Sequence, residues 1–370
     1  MLLDRADELV SRFEQRLPFD LAIFDAHVHL GRDVDGMVAE YAELVALLER
    51  YGDARAFAFC LDEEDRAPSF RAANDRTLAY AERSEGRIVP FARLDLADGA
   101  VAEAERCLGR GARGIKLHSR AQRFDVDGKI LDSVFALAAE RSAPVLVHGG
   151  AGMPPVAREL VRLLDRHPSA QLILAHAGVG DLVALARHLA GRPGAFFDTA
   201  VWSPLDLLDL VGRAAPEQIL YGSDYPYGQQ PSSLAIAACT LRAAGADDPA
   251  MRAVLGGNAA RIADGLPPRT PTVPLGPATI TTTVTHARVH QYLSMAAPLL
   301  WRQRRDSTGV LDLAIAAAAD EEHEELCELV AVARDLWRTV AEIEDAWRRR
   351  TAARAVFQLV QLADVLAMTA

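Results

Sequence analysis

The sequence is short of sulfur ligands, of positive charge and of long apolar runs. Its four cysteines, Cys60, Cys107, Cys239 and Cys327, stand far apart with no Cys-x-x-Cys pair. That spacing excludes a zinc ribbon and a thioredoxin-like redox motif, and the cysteines read as buried or idle thiols in a reducing compartment. Lys and Arg together number 40 against 51 Asp and Glu, a formal net charge of -11. A chain so balanced lacks the basic surface that phosphate backbones demand, so nucleic acid is not an expected partner. No stretch approaches the roughly 18 uninterrupted apolar residues of a membrane span. The opening MLLDRADELVSRFEQRLPFD carries acids early and has no long apolar core, so it does not read as a signal peptide. These absences make the cytoplasm the default expectation. No internal repeat is visible.

What is present is ordinary globular composition, half hydrophobic and a quarter charged. A length of 370 residues fits one α/β barrel, which takes about 250 residues, plus a smaller appendage. From about Leu21 to Leu266, short β-rich runs alternate with longer amphipathic stretches. The runs are LAIFDAHVH, ARAFAFCLD, RIVPFARLD, RGIKLHS, PVLVHGG, LILAHAG, GAFFDTA and ILYGSDYP. Their Val, Ile, Leu and Phe content suits strands covered by helices. Between them, Val38–Tyr51, Ala72–Ser84, Ala100–Arg110, Leu131–Arg141, Pro155–His167 and Leu182–Leu189 repeat apolar residues at helical spacing. Strand then helix, about eight times over, predicts a (β/α)8 TIM barrel across residues 1–266. A doubly wound open sheet is the alternative, but it does not account for the polar residues described next. Residues 267–283, rich in Pro and Thr, predict a linker or strap. Residues 284–370 predict an all-α extension. Its clearest signal is one apolar stripe running through Leu326, Leu329, Val330, Ala333, Leu336, Val340, Ile343 and Trp347. Val356, Phe357, Val360 and Leu366 suggest a further helix, and such faces need a partner surface, either the barrel or a second copy of the chain.

The polar residues inside the apolar strands fall at their C-terminal ends. His27 and His29 close the first strand, Lys116 and His118 the fourth, His148 the fifth, His176 the sixth and Asp224 the eighth. In a barrel these ends face one mouth, where active sites are built. Each pair two residues apart points to one side of its strand. A divalent ion lowers the pKa of water and polarises a carbonyl, and it needs a few N and O ligands with one position open. His27, His29, His148 and Asp224 meet that need. His176 then lies near the open position as general acid or base, and Asp224 can both bind metal and accept a proton. A lone His-x-His pair would be weak, but neutral core histidines rarely gather at one end of several strands.

These segments resemble the amidohydrolase superfamily. FDAHVHLG, GIKLHS, LVHGG, LILAHAG and YGSDYPYG look like the motifs of its amidohydrolase-related branch, which includes aminocarboxymuconate-semialdehyde decarboxylase, resorcylate decarboxylases and pyrone-dicarboxylate lactonase. The resemblance covers roughly Leu21 to Leu266. It implies a distorted TIM barrel with one metal, often zinc, on His27, His29, His148 and Asp224, and with His176 as catalytic or water-orienting base. TatD-like nucleases share the barrel, but the GIKLH and GSDYP segments fit them less well. In two-metal relatives a carboxylated lysine of the fourth strand bridges the ions, a role open to Lys116. One metal is the reading preferred here, with Lys116 otherwise a mouth residue paired to a carboxylate. Zinc suits the ligands, and manganese, iron or cobalt are compatible.

Substrate-binding candidates are His118, Arg93, Arg120 and Arg123, the arginines as bidentate clamps for a carboxylate. Trp202, Tyr225 and Tyr227 are candidates for the pocket wall. Gly31, Gly149, Gly150 and Gly222 are expected to let the backbone turn close to the metal. His167 and His188 read as surface residues and His323 as part of a solvated helix start. His286 and His290, four apart on a helix, lack a third ligand of clear spacing. Three functions follow. The first is hydrolysis of a small amide, ester or lactone by a metal-activated water. The second is metal-dependent non-oxidative decarboxylation of a small carboxylic acid. The third is a catalytically weak barrel acting as a scaffold through its helical part. The expected partners are a small-molecule substrate and, through the C-terminal helices, a second copy of the chain.

Overall fold

The computed structural model describes residues 1–17, 21–122, 128–150, 155–276, 282–301, 304–319 and 323–369. Eight strands run parallel in sequence order: β1 (Phe24–Arg32), β2 (Arg55–Cys60), β3 (Ile88–Arg93), β4 (Gly114–Leu117), β5 (Pro144–Val147), β6 (Gln171–Leu174), β7 (Ala195–Asp198) and β8 (Ile219–Leu220). Val38–Ala39 folds back antiparallel on the end of β1. The ring closes between β1 and the chain following β8. Ala26 N–H donates to the Tyr221 carbonyl at 2.7 Å, Asp224 N–H to the His27 carbonyl at 2.9 Å and His29 N–H to the Tyr225 carbonyl at 2.7 Å. All eight strands predicted from the sequence are present, and the fold is the expected barrel followed by helices.

Two apolar layers follow from strand alternation. Phe24, Ala26, Phe57, Phe59, Phe91, Leu146, Ile173, Phe196 and Leu220 point inward and fill the barrel. Ala259 and Ile262 join the same cluster. The intervening residues pack outward on the helices. The interior is therefore a solid apolar plug beneath the mouth, and polar side chains gather above it. The register of β1 against β2 shifts between Asp25 and Val28. Such bulges re-aim side chains beside functional sites, and this one holds His27.

The remaining helices build a second core. It unites α1 (Leu2–Glu14), α2 (Gln230–Ala243), α3 (Val284–Trp301), α4 (Val310–Ala318), α5 (Glu324–Val340) and α6 (Ala346–Thr369). Ala6, Leu9, Val10 and Phe13 of α1 pack with Leu329, Val330, Val356 and Leu359. The N-terminal helix thus packs in the helical layer, although it precedes the barrel strands in the chain. Its apolar face is complementary to α5 and α6, and Arg5 and Arg12 pair with Glu328 alongside. Burial of each Leu or Val here contributes about 1.5–3 kcal/mol. The single stripe predicted from Leu326 to Trp347 is broken after Val340. Asp345 accepts the Arg348 N–H at 2.7 Å and so caps a new helix, leaving Trp347 exposed. Helix α6 is long and apolar enough to cross a membrane by length and composition. Its apolar side chains are instead buried in this layer.

His290 on α3 and Asp364 on α6 tie two of these helices, Nδ1 to Oδ1 at 2.6 Å. The hydrogen bond to Asp364 raises the His290 pKa, against burial. A raised histidine pKa stabilises fully below the unfolded value, near 6.5, and that stability is lost as pH rises through the folded value. Thermal melts should therefore show wild type losing more stability than His290→Gln as pH rises from about 6.5 to alkaline. Parallel pH profiles for the two proteins would contradict this.

Candidate metal centre

The strand ends deliver the predicted side chains to one cavity. His27 is fully buried, His29 is 4 % exposed and Asp224 is 7 % exposed. One donor atom from each lies within 4.8 Å of the others. Asp224 Oδ1 sits 3.3 Å from His27 Nε2 and 3.2 Å from His29 Nε2. Lys116, also fully buried, places Nζ 3.4 Å from His27 Nε2 and over the Phe59 ring.

The tautomers follow from the hydrogen bonds around the imidazoles. Asp198 Oδ2 accepts from His27 Nδ1 at 2.7 Å, which leaves the His27 Nε2 lone pair facing Asp224 and His29. The Ala200 carbonyl accepts from His176 Nδ1 at 2.8 Å, so His176 Nε2 is the acceptor. His148 Nδ1 then donates to His176 Nε2 at 3.1 Å. His148 Nε2 is left as a lone pair, buried and without a partner. His148 lies outside the compact cluster of three but carries an orphaned donor atom of the kind a metal takes. His29 Nδ1 is likewise buried without a partner.

The electrostatics of these groups suit a divalent cation. Burial holds the pKa values of His27, His29, His148 and His176 below the ordinary histidine range. They are neutral at pH 7, the state a metal ligand needs. Burial pushes the Asp224 carboxyl well up, with Lys116 opposing. Burial also lowers Lys116 to about 7, against the pull of Asp224 and Asp198. The buried Asp224 carboxylate faces two neutral imidazoles and a Lys116 lowered to about 7, and a divalent ion would add positive charge there. The donor set of imidazole nitrogens and one carboxylate oxygen fits zinc, manganese, iron or cobalt.

Backbone strain marks the same residues. His176 and Asp224 hold left-handed conformations, with φ of 55° and 59°. Each costs on the order of 1 kcal/mol. The Asp198 carboxylate offsets it at His176 by accepting the backbone N–H at 2.7 Å, and the His27 carbonyl does so at Asp224. Gly222 sits in close approach, since a Cβ there would meet His27 Cβ at 3.0 Å and press on it.

Sequence reasoning missed Asp198 and Asp25. Asp198 is fully buried at the end of β7 and orients both His27 and the His176 backbone. Its signal was the Asp of GAFFDTA, one more polar residue closing an apolar strand. Asp25, also fully buried, accepts from the backbone N–H groups of His27 and Ser223 and from Gln230, and burial pushes its pKa up to about 6. Asp198→Asn is expected to lower metal affinity about 10–100-fold by loosening the His27 tautomer. Unchanged affinity in a competition assay with a metal-binding dye would contradict that role.

The cavity above the cluster has a volume of about 690 Å³. His29, Arg93, Lys116, His118, Arg120, His148, His176, Trp202, Asp224 and Tyr227 line it, with others. His118 stacks on His148 with ring centroids 3.8 Å apart. Arg93 is 2 % exposed, donates to the Cys60 carbonyl at 3.1 Å and leaves Nε without a partner. Tyr225 is a correction, because it does not line the cavity. Its ring lies under the Arg354 guanidinium and its hydroxyl donates to Glu43 at 3.0 Å. Arg123 lies outside the described residues. His286 faces His323 at 2.9 Å, well apart in sequence from the mouth. His167 pairs with Asp132 at 3.1 Å.

Comparison with known proteins agrees with this architecture. The chain is similar to 2,6-dihydroxybenzoate decarboxylase from Rhizobium, at 16 % identity over 66 % of this chain and 98 % of that one, with a TM-score of 0.51. A dihydroxybenzoic acid decarboxylase from a Polaromonas species, with bound manganese and 2-nitroresorcinol, gives 15 %, 66 %, 97 % and 0.51 in the same terms. An amidohydrolase from Burkholderia multivorans with bound HEPES gives 16 %, 65 %, 99 % and 0.50. At such identities the likeness is one of fold. No curated protein matches the chain in sequence. The amidohydrolase family model matches residues 24–262, from the first residue of β1 to the helix that caps the barrel interior, and the chain belongs to that family.

Proposed function

We propose that the protein is a metal-dependent hydrolase of a small amide, ester or lactone, with one divalent ion held by His27, His29, His148 and Asp224. The observation that carries this reading is the orphaned Nε2 of His148 beside the buried His27, His29 and Asp224 group. A bound ion would supply Lewis acidity, polarising a substrate oxygen and lowering the pKa of water. The chain's own residues do the rest. Asp224 accepts the proton that the attacking water loses. His176, neutral at pH 7, takes that proton over from Asp224 at Nε2 and delivers it to the leaving group, which restores both side chains. That protonation displaces the His148 donor from Nε2, so the base and the third imidazole ligand are coupled. Arg93, buried with a free Nε, and Arg120 orient a substrate oxygen or carboxylate. Lys116 supplies positive charge beside Asp224.

The second reading is non-oxidative decarboxylation. Arg93 and Lys116 on the cavity wall are placed to receive a carboxylate, and two of the solved relatives are named as decarboxylases. The cavity of about 690 Å³ leaves room for an attacking water beside a small substrate, which favours hydrolysis. Turnover in ¹⁸O-labelled water separates the two. Hydrolysis places label in the acid product. Carbon dioxide release with no label in the product would overturn the hydrolase assignment in favour of the second.

A further inference from the structure

The cavity is not built by the barrel alone. Helices α3 and α6 contribute Leu293, Ser294, Ala297, Val360, Gln361 and Asp364 to its wall. These residues lie beyond the matched range of 24–262. The solved relatives are matched along 97–99 % of their own lengths and cover 65–66 % of this chain, so about a third of this chain has no counterpart in them.

Helix α6 is fixed on the barrel mouth. Phe357 meets the Trp202 ring edge to face at 5.3 Å. Arg354 donates to Glu43 at 3.0 Å and to the Val38 carbonyl at 2.9 Å. Ser232 donates to Gln361 Oε1 at 2.6 Å inside the joint. The cavity is acidic as a whole, and α6 adds Asp364 to carboxylates that come otherwise from the barrel. Among the described residues the cavity lining carries six aspartates and three bases, and the bases (Arg93, Lys116 and Arg120) all come from the ends of β3 and β4. Asp364 is 5 % exposed and held by His290 through one oxygen. Asp206, on the same lining, is near enough for the His290 charge to act on its carboxyl. The same cavity contains His29, whose buried Nδ1 has no partner, so it is a chamber arranged around a ligand.

We propose that α6 is the specificity wall of this pocket, where Asp364 receives a protonated amino group of the substrate while the reacting carbonyl lies at His29, His148 and Asp224. The proposal rests on the reading of those residues as a metal centre. An ammonium adds a second positive charge beside two carboxylates that have only His290 between them, through a charge-assisted hydrogen bond to the 5 % exposed Asp364. A substrate with a methyl in that place leaves the wall unpaired.

The test compares two hydroxamates, which chelate divalent ions, on the full-length zinc-loaded protein by calorimetry: aminocaproic hydroxamate and caproic hydroxamate. The amino compound is expected to bind about tenfold more tightly to wild type. Asp364→Asn should abolish the preference and leave the affinity for caproic hydroxamate unchanged, and Asp206→Asn should weaken the preference. Equal affinities in wild type overturn the proposal without any variant. So does a preference that survives in folded Asp364→Asn, because the amine is then bound elsewhere. Zinc content is measured on the same samples. Protein that holds no zinc contradicts the metal-centre reading and the proposal with it, whereas zinc-loaded protein without the preference contradicts the proposal alone.

Discussion

Replacing His27 by alanine, or Asp224 by asparagine, is expected to weaken metal binding more than 100-fold and to abolish turnover. The expected loss exceeds the ~10–100-fold typical of residues that only support a ligand, because each variant removes a donor atom outright. The two act differently. His27→Ala removes an imidazole whose tautomer Asp198 has already set. Asp224→Asn keeps the shape and removes the charge, so it isolates the electrostatic part. Acid should mimic Asp224→Asn. Burial raises the Asp224 pKa, so protons compete with the ion as pH falls to that raised value, above the range of an ordinary carboxylate. Equilibrium dialysis against a competing chelator across pH measures both effects. Affinity within threefold of wild type in either variant would remove that residue from the ligand set.

His176→Asn is expected to lower kcat about 10²–10⁴-fold on whichever amide, ester or lactone the wild type hydrolyses. Metal content should hold, because His176 lies outside the compact His27, His29 and Asp224 cluster and its hydrogen bond to His148 is made to Nδ1, not to Nε2. The acidic limb of the kcat profile should also vanish. That limb requires neutral His176, whose pKa is lowered by burial with Asp198 opposing, and therefore falls below the ordinary histidine range. A variant that loses metal instead would make His176 a positioning residue for His148. The variant then has no bearing on proton transfer.

The barrel was legible because its signal is periodic and local. Eight apolar runs, each closed by polar residues, give strand order and a common mouth before any contact is known. His27, His29 and Asp224 were legible for the same reason, being strand-end residues of matching parity. Asp198 satisfied the same rule and was passed over, because an aspartate at a strand end carries no motif of its own. Its importance lies in the hydrogen bonds to His27 and His176, which only the fold brings within reach. Tyr225 shows the reverse. Its position beside Asp224 suggested the pocket, but the left-handed turn at Asp224 carries it under Arg354. The helical layer was legible as helices and not as a wall. Amphipathic spacing shows that a face must be covered, but it does not say that α1 returns from the other end of the chain to cover it, or that Asp364 faces the cavity at the barrel mouth.

Metal content per chain of wild-type protein, purified without chelator or added metal, is the most direct test of the central claim. About one equivalent of zinc or a similar divalent ion is predicted, the count set by three imidazoles and one carboxylate around a single open position. A folded protein that carries no metal and shows no affinity for added zinc, manganese, iron or cobalt would contradict it.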